Sequence, residues 1–585
     1  MKRQTISYID RSSVHSSELK QKAIQSQLVT QGIPALIAQL GADRGLTSIS
    51  DFDYNLSRLL APQGLLNINT AARLLLEAIQ ANQKLLIVAD YDCDGATAWG
   101  VMIRGLRMMG AIVDYAVPNR FTHGYGLSPE LVAEVALHPR LGKPDWIITV
   151  DNGIASVDGV DKAAQLGIQV LITDHHLPGS KLPKAASIVN PNQVGCDFQS
   201  KALAGVGVAL YVLLAMRAIR RVEQPEQQDA PIQELLDLVA LGTVADVVKL
   251  DHNNRILVNA GLERIRAGKC QPGVRALFEI SKRNWRQACA SDLGFSIGPR
   301  INAAGRLQDI TLGIECLLSN DIGQASALAE QLHCVNLQRR DLQQQMQEQA
   351  DLAQANSISI DQKVLVVFNE TWHEGLVGLV AGKLKEEHYR PCIAFAPSAA
   401  DPQWLKGSGR SVNGVHLRDY LDLISKSSPL LTTEHLPRFG GHAMAAGLTL
   451  HRDSLPLFTQ LAQQVAQITI ADHLLKAIKF VDQSPSPDRL NIETAELLML
   501  QPWGPGFEEP LFKGDFRVLS QQVLQGKHSK LTLTPIGTFS PKKNIDAIYF
   551  DYAESISGDI SLVYRLAVNQ FNALKSLQLI IEAIL

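Results

Sequence analysis

At 585 residues the chain exceeds what one hydrophobic core organises, and about three or four domains are expected. Its 46% apolar and 19% charged residues match an ordinary globular protein and exclude a disordered or fibrous one. A net charge of −3 excludes a broadly basic nucleic-acid coat, so any such binding must use a local basic groove.

Residues 1–80 read as a helical preface, with Leu28, Ile33, Leu36, Ile37 and Leu40 recurring at helical spacing. Leu85–Gly95, LLIVADYDCDG, follows as an apolar run of strand length that ends in Asp90, Asp92 and Asp94. If the backbone stays extended there, alternate side chains share one side, which gathers the three acids and turns Tyr91 and Cys93 away. Such a cluster repels itself unless protons or cations compensate, and hard oxygen ligands suit Mg²⁺ or Mn²⁺. An acidic loop capping the next helix is the plainer alternative. Calcium is weaker, because the late glutamate of an EF-hand loop is missing.

From Lys84 to about Leu250, strands alternate with helices. Ala96–Met109 reads as a helix, Trp146–Val150 as a strand ending in Asp151-Asn152-Gly153, and Val170–Thr173 as one ending in Asp174-His175-His176. This predicts a parallel sheet covered on both faces, with ligands beyond the carboxyl ends of its strands, where all three clusters fall. The apolar stripe Ile232–Leu241 predicts a helix running into Gly242–Asp246.

Beyond Leu250 an arginine-rich linking region contains GPRINAAGR, and Asp321–Asn356 predicts a connecting helix on which Arg339 and Arg340 are plain surface charge. Lys363–Phe368 opens a second α/β lobe carrying Trp372-His373-Glu374-Gly375, GSGRS at Arg410-Ser411, and Gly440-Gly441-His442. Each of these is a tight turn when taken singly. After about Ile470, short alternating strands predict a small β-barrel, with Lys527, His528 and Lys530 on a hairpin. Trp503, Phe507 and Phe512 read as its core rather than as stacking platforms.

Cys93, Cys196, Cys270, Cys289, Cys316, Cys334 and Cys392 form no C-x-x-C pair, which suits a reducing compartment. MKRQTISYIDRSS lacks the apolar core of a signal peptide, and Val206–Met216 is too short to span a bilayer. The expected location is the cytoplasm, with no membrane partner.

Together, DYDCDG, VDNG, TDHH and GTVAD resemble the four motifs of the DHH phosphoesterase superfamily. With GPRINAAGR, WHEGLVG, GRS, GGHAMAAG and PWGPGFEEPLF in order, the chain resembles the RecJ family of bacterial single-strand-specific exonucleases. The resemblance implies an α/β parallel-sheet DHH domain (81–255), a linker and long connecting helix (256–356), a second α/β DHH-associated domain (357–455) and a C-terminal oligonucleotide-binding (OB) β-barrel (468–585).

It also implies two divalent cations, Mg²⁺ or Mn²⁺. Asp92 and Asp151 would hold one, with Asp90 nearby; Asp94, Asp151, His175 and Asp246 would hold the other, with Asp151 the bridge. His176 would face the scissile phosphate, completing the catalytic set, and Asp174 would orient the histidine pair. Arg120, Arg300, Asn302 and Arg306 would contact substrate near the metals, while Arg410, Ser411 and His442 would grip the 5′ end. One departure is Val88, where many superfamily members carry histidine. The implied activity is 5′-to-3′ degradation of single-stranded DNA to 5′-mononucleotides in DNA repair and recombination. A monomer is implied, partnered by a helicase and a single-strand-binding protein. Rival expectations are a dinucleotide-scale phosphodiesterase, opposed by the extra region past Ile470, and a metal-free scaffold, opposed by the intact motif ligands.

Overall fold

The computed structural model describes residues 6–15, 18–118, 126–355, 362–428, 431, 436, 438–536, 544–571 and 574–585. The first strand, β1 (Ser7–Asp10), lies where a purely helical preface was expected, and its partner is near the other end of the chain. Helices follow at Ala35–Asp43 and Ile68–Gln80.

β2 (Lys84–Ala89), β3 (Ile112–Ala116), β4 (Trp146–Val150), β5 (Gln169–Thr173) and β6 (Ser187–Val189) form one sheet in the order β3-β2-β4-β5-β6. All four pairings are parallel, as the alternation with helices predicts. Alternate residues of β2 serve two cores. Leu85, Ile87 and Ala89 join Trp99 and Val206 on one face, whereas Leu86 and Val88 join Leu131 and Val160 on the other. Burial on both faces explains why these strands read as unbroken apolar runs.

The region after Leu250 is a helical layer rather than a linker. His252–Arg266, Pro272–Ile280 and Thr311–Leu318 add Leu257, Phe278 and Ile314 to the first core. The helix Ile322–Ala355 does connect two lobes. Ala325 and Leu332 pack in the first core, and Met346 and Ala350 pack beneath Leu376 and Val380 of the second.

In the second lobe β7 (Leu365–Phe368), β8 (Cys392–Pro397), β9 (Trp404–Arg410), β10 (Arg438–Gly441) and β11 (Ala445–His451) make a mixed sheet ordered β10-β11-β9-β8-β7. β12 (Ile478–Gln483) then pairs in parallel with both β1 and β13 (Phe512–Leu524). β13, β14 (His528–Pro535), β15 (Ile545–Tyr549), β16 (Asp559–Phe571) and β17 (Leu574–Ile584) close into a five-stranded barrel through the β13–β16 pairing. Lys527, His528 and Lys530 fall on or beside the β13–β14 hairpin, where Asp551 and Asp546 face the two lysines.

Two contacts tie the barrel to the rest. Phe512 lies in the barrel core as expected, but Phe507 is buried in the core of the first lobe. There Leu250 N–H donates to the Pro505 carbonyl oxygen at 2.7 Å, and Arg255 lies over the Phe507 ring. Tertiary contact overrides locality here, because the turn Pro502–Phe507 crosses between the lobes.

The second contact is ionic. Arg44, from the end of a helix that sends Leu36, Ile37 and Leu40 into the barrel core, grips buried Asp482 on β12 through two bonds of 2.8 and 3.0 Å. Arg11 approaches the same carboxylate at 3.5 Å. Removing Asp482 strands two arginines out of water, and breaking such a pair typically costs about 3–5 kcal/mol. Asp482→Ala is expected to lower the stability to urea by that amount, with loss of the barrel preceding that of the first lobe. A midpoint equal to wild type would contradict this clasp.

Candidate metal centre

The sheet delivers its polar residues to one edge. β2 ends at Ala89, and Asp92 is the N-cap of the helix Cys93–Met108, its Oδ1 accepting the N–H groups of Asp94 (2.9 Å) and Gly95 (3.1 Å). The acids therefore converge because a helix begins, not because the strand continues. A side chain at Gly95 would strike the Asp90 carbonyl oxygen, the Cβ falling 2.6 Å from it.

Asp94 reaches from that first turn to a second helix, Gly205–Glu223. Its two oxygens accept the N–H groups of Gly205 (2.7 Å) and Val206 (3.0 Å). Glycines clear the space around the acids. A Cβ on Gly205 would lie 2.4 Å from Asp151 Oδ1, and one on Gly242 would lie 2.8 Å from Asp94 Oδ1. The glycine in AGVGV was a signal that sequence reasoning passed over. Asp151 itself sits at φ 60° after β4. That left-handed backbone costs a non-glycine residue about 1–3 kcal/mol and points to functional constraint. Asp246 closes the group at the end of the helix Leu236–Ala245.

After β5, Asp174 is buried and fully engaged. It accepts the N–H groups of Ile154 (2.9 Å), His175 (2.7 Å) and His176 (3.1 Å), and the His176 Nδ1 at 2.7 Å. These bonds hold its carboxyl below the usual range against the penalty of burial. They hold the His176 ring, whereas the ring of His175 bonds the Leu203 backbone. His175 Nε2 points at Asp151 Oδ1 (3.1 Å) and Asp246 Oδ2 (3.6 Å). Burial, helped by the charge of His176, lowers His175 to about 3 and leaves it a neutral ligand. Burial opposes charge on His176 too, but its bond to Asp174 wins and lifts it to about 9.

From the second lobe, His442 lies on the turn between β10 and β11 and stacks on His176, with ring centroids 5.6 Å apart. Arg410, at the end of β9, is bound to Ser408 and to the Gly409 carbonyl oxygen, with Gly378 leaving room for its guanidinium. Ser411 is buried, and its hydroxyl donates to the Val415 carbonyl oxygen. On the helix Gly298–Leu307, Asn302 Oδ1 accepts the Cys93 N–H at 2.7 Å, and a Cβ on Gly305 would lie 2.0 Å from the Tyr91 carbonyl oxygen. This helix is thus seated on the acidic loop, and Arg306 lies in its last turn, its carbonyl oxygen facing Gly375 of the second lobe. Arg300 lies near the start of the helix and bonds the Ser296 carbonyl oxygen. Val88 is fully buried with the opposite core, on the far side of β2. Arg120 lies outside the described residues.

The comparisons agree on what carries this arrangement. Residues 84–243 match the DHH family N-terminal domain, 361–468 the DHHA1 domain and 481–583 the RecJ OB domain. The chain is 44% identical to the single-stranded-DNA-specific exonuclease RecJ of Dickeya dadantii, covering 97% of this chain and 98% of that one. It belongs to the RecJ family. RecJ of Escherichia coli is 43% identical over 94% of this chain and 96% of its own. The crystal structure of RecJ from Thermus thermophilus with Mn²⁺ superposes with a TM-score of 0.80 at 26% identity, covering 99% of this chain and 79% of that one. A Mg²⁺ complex of the same RecJ gives 0.74.

The residues of this RecJ-family centre fit such ions. Asp94, His175 and Asp246 present ligand atoms within 4.8 Å of one another, as do Asp151, His175 and His176. Among the described residues, the buried Asp151 Oδ1 and Asp246 Oδ2 receive no well-formed hydrogen bond. Oxygen donors with one neutral imidazole suit Mg²⁺ or Mn²⁺. Burial, then mutual repulsion, pushes Asp151 and Asp246 well above the ordinary carboxylate range, and burial with the charge of Asp92 lifts Asp94 to about 7. Without cations the cluster therefore holds protons at neutral pH.

A carboxyl raised in the fold favours folding below its unfolded value and loses that advantage as pH rises through the folded one. For Asp94 the window runs from 3.8 to about 7. The metal-free chain loses this contribution across that window, while cations compete with fewer protons. The rise in melting temperature on adding Mn²⁺ is therefore expected to grow from about pH 5 to pH 7.5. Calorimetry should register proton release on binding, and a pH-independent shift without released protons would contradict the assignment. Asn302→Ala removes the acceptor for the Cys93 N–H and is expected to weaken Mn²⁺ binding roughly tenfold. Unchanged affinity by titration calorimetry would separate this helix from the acidic loop.

Proposed function

We propose that this chain is a metal-dependent 5′-to-3′ exonuclease of single-stranded DNA that releases 5′-mononucleotides in DNA repair and recombination. The observation that carries this reading is the meeting of Asp94, Asp151, His175 and Asp246 around oxygens left without donors, in a chain of RecJ family. When bound, two divalent cations supply an activated water and electrostatic relief for the leaving oxygen.

The protein's own part is positioning and charge. Asp92 and Asp151, with Asp90, would hold one cation, and Asp94, Asp151, His175 and Asp246 would hold the other, so Asp151 would serve both. Asp174 fixes the direction of the His176 ring, leaving His176 Nε2 as a donor toward the scissile phosphate. At a value of about 9 the His176 ring is cationic at neutral pH, and such a donor favours the extra negative charge of the transition state. Arg306, with Arg300 and Arg120, meets the phosphates beside the centre, where Asn302 keeps the acidic loop in place. Arg410 and His442 grip the 5′ end from the second lobe, with Ser411 shaping the turn beneath it. A cleft between lobes excludes a duplex by width, and the barrel holds the strand further along by charge and stacking. A helicase would fit upstream, because such a cleft needs a strand already separated, and a single-strand-binding protein would present it.

Digestion of a 3′-labelled, 5′-phosphorylated single strand with Mn²⁺ tests the reading. Mononucleotides should appear from the 5′ end while the label stays on shortening strands. Asp151→Asn should lower the rate by about a thousandfold. Equal attack on blunt duplex, or an intact single strand, would sink the proposal.

A further inference from the structure

Away from the metal centre, one surface combines an exposed aromatic ring with a group of cations. The π-helical turn Leu293–Ile297 pushes Phe295 into solvent at 85% exposure, more than any other phenylalanine among the described residues. Two arginines hold the next residue: Arg283 Nε donates to the Ser296 hydroxyl at 3.1 Å, and Arg300 donates to its carbonyl oxygen. Arg340, on the connecting helix, lies close enough that it and Arg283 both act on the half-buried Arg300, whose value burial already lowers. Lys282 and Arg340 also act on His333 across the same face. Acidic groups facing these cations include Asp292, 3.6 Å from Arg283, and Glu330, which acts on His333.

A single exposed phenylalanine is ordinary on a protein surface. One followed directly by a residue that two arginines hold, in a chain of net charge −3, is a site that favours a flexible polyanion bearing flat apolar groups. An acidic polypeptide would need a recess for its own apolar side chain, whereas this ring stands proud of the surface. The location also fits. Arg300 shares a helix with Arg306, six residues on and about 9 Å along the axis, and with Asn302, whose side chain holds the acidic loop.

We propose that Phe295, Lys282, Arg283 and Arg340 form a second contact for single-stranded nucleic acid, the ring stacking on a base and the cations meeting phosphates. The proposal rests on the reading of the centre as strand-degrading. It gives the bland surface charge of Arg340 a task, and it places part of the grip on a long strand outside both the cleft and the barrel.

Equilibrium binding of fluorescent single strands to the full chain in EDTA tests this without cleavage. Phe295→Ala and the pair Lys282→Gln/Arg340→Gln should each weaken binding of a roughly forty-nucleotide strand about tenfold. The paired variant should also reduce the salt slope by about one or two. Binding of a roughly six-nucleotide strand, and its hydrolysis with Mn²⁺, should stay as in wild type. Unchanged affinity for the long strand in both variants would overturn the proposal, as would equal losses on both strands. Polyglutamate bound by wild type and lost in the variants, with the long-strand affinity intact, would assign the surface to an acidic polypeptide instead. A wild type that binds strands and cuts none would refute the nuclease reading while leaving this surface standing.

Discussion

Asp94 and Asp151 are buried, and half-buried Asp246 joins them beside Asp90 and Asp92; in the absence of cations these three keep protons that free carboxyls would lose. Bringing like charges together out of water opposes folding, so the surrounding structure must hold them in place. The parallel sheet does part of this by ending β2, β4 and β5 along one edge. The helix Gly205–Glu223 does the rest, giving Asp94 two N–H donors at its positive end and leaving Asp151 the space that only glycine permits. The strained backbone of Asp151 fits the same account, since the carboxylate proposed to bridge is the one whose conformation is least relaxed.

The histidines divide their work through a single buried acid. Asp174 charges His176 through its ring but meets His175 only at the backbone N–H, so adjacent residues of one loop acquire opposite protonation. A neutral imidazole ligates, and a cationic one attracts phosphate. His442, stacked on the charged ring from the other lobe, is lowered by burial and by that charge, which leaves it an uncharged neighbour. The seam between lobes is thus lined where the reaction is proposed to occur.

Much of this was legible in the sequence because apolar strands broke off into acids and histidines at three separate places, a pattern that turn chemistry alone does not repeat. Asp174 as an orienting group came from the family resemblance, and its bond to the His176 ring accords with that role. What the sequence hid was non-local. A four-residue strand at Ser7–Asp10 has no periodicity to announce it, and its partner β12 lies more than four hundred residues away. Asn302, expected as a substrate contact, also holds the acidic loop, its side-chain Oδ1 accepting the Cys93 N–H. The start of a helix at Cys93 was masked by alternating acids, which fit a strand and a capped first turn equally well. Phe507 was assigned to the barrel by proximity in sequence, although packing placed it in the first lobe.

These non-local contacts bear on the chemistry. The helix Gly298–Leu307 rests on the acidic loop through Asn302 and Gly305, and the Arg306 carbonyl oxygen in its last turn meets Gly375 of the second lobe at a distance no larger residue would allow. Any change in the angle between the lobes must therefore move this helix or break its contact with the loop. Packed interfaces of this kind shift between discrete arrangements rather than deforming smoothly. The barrel is joined to the first lobe through Phe507, and Arg44 clasps β12 to the N-terminal helix. A strand held by the barrel would thus be tied to the lobe that carries the proposed metal ligands, while Arg410 and His442 belong to the second lobe.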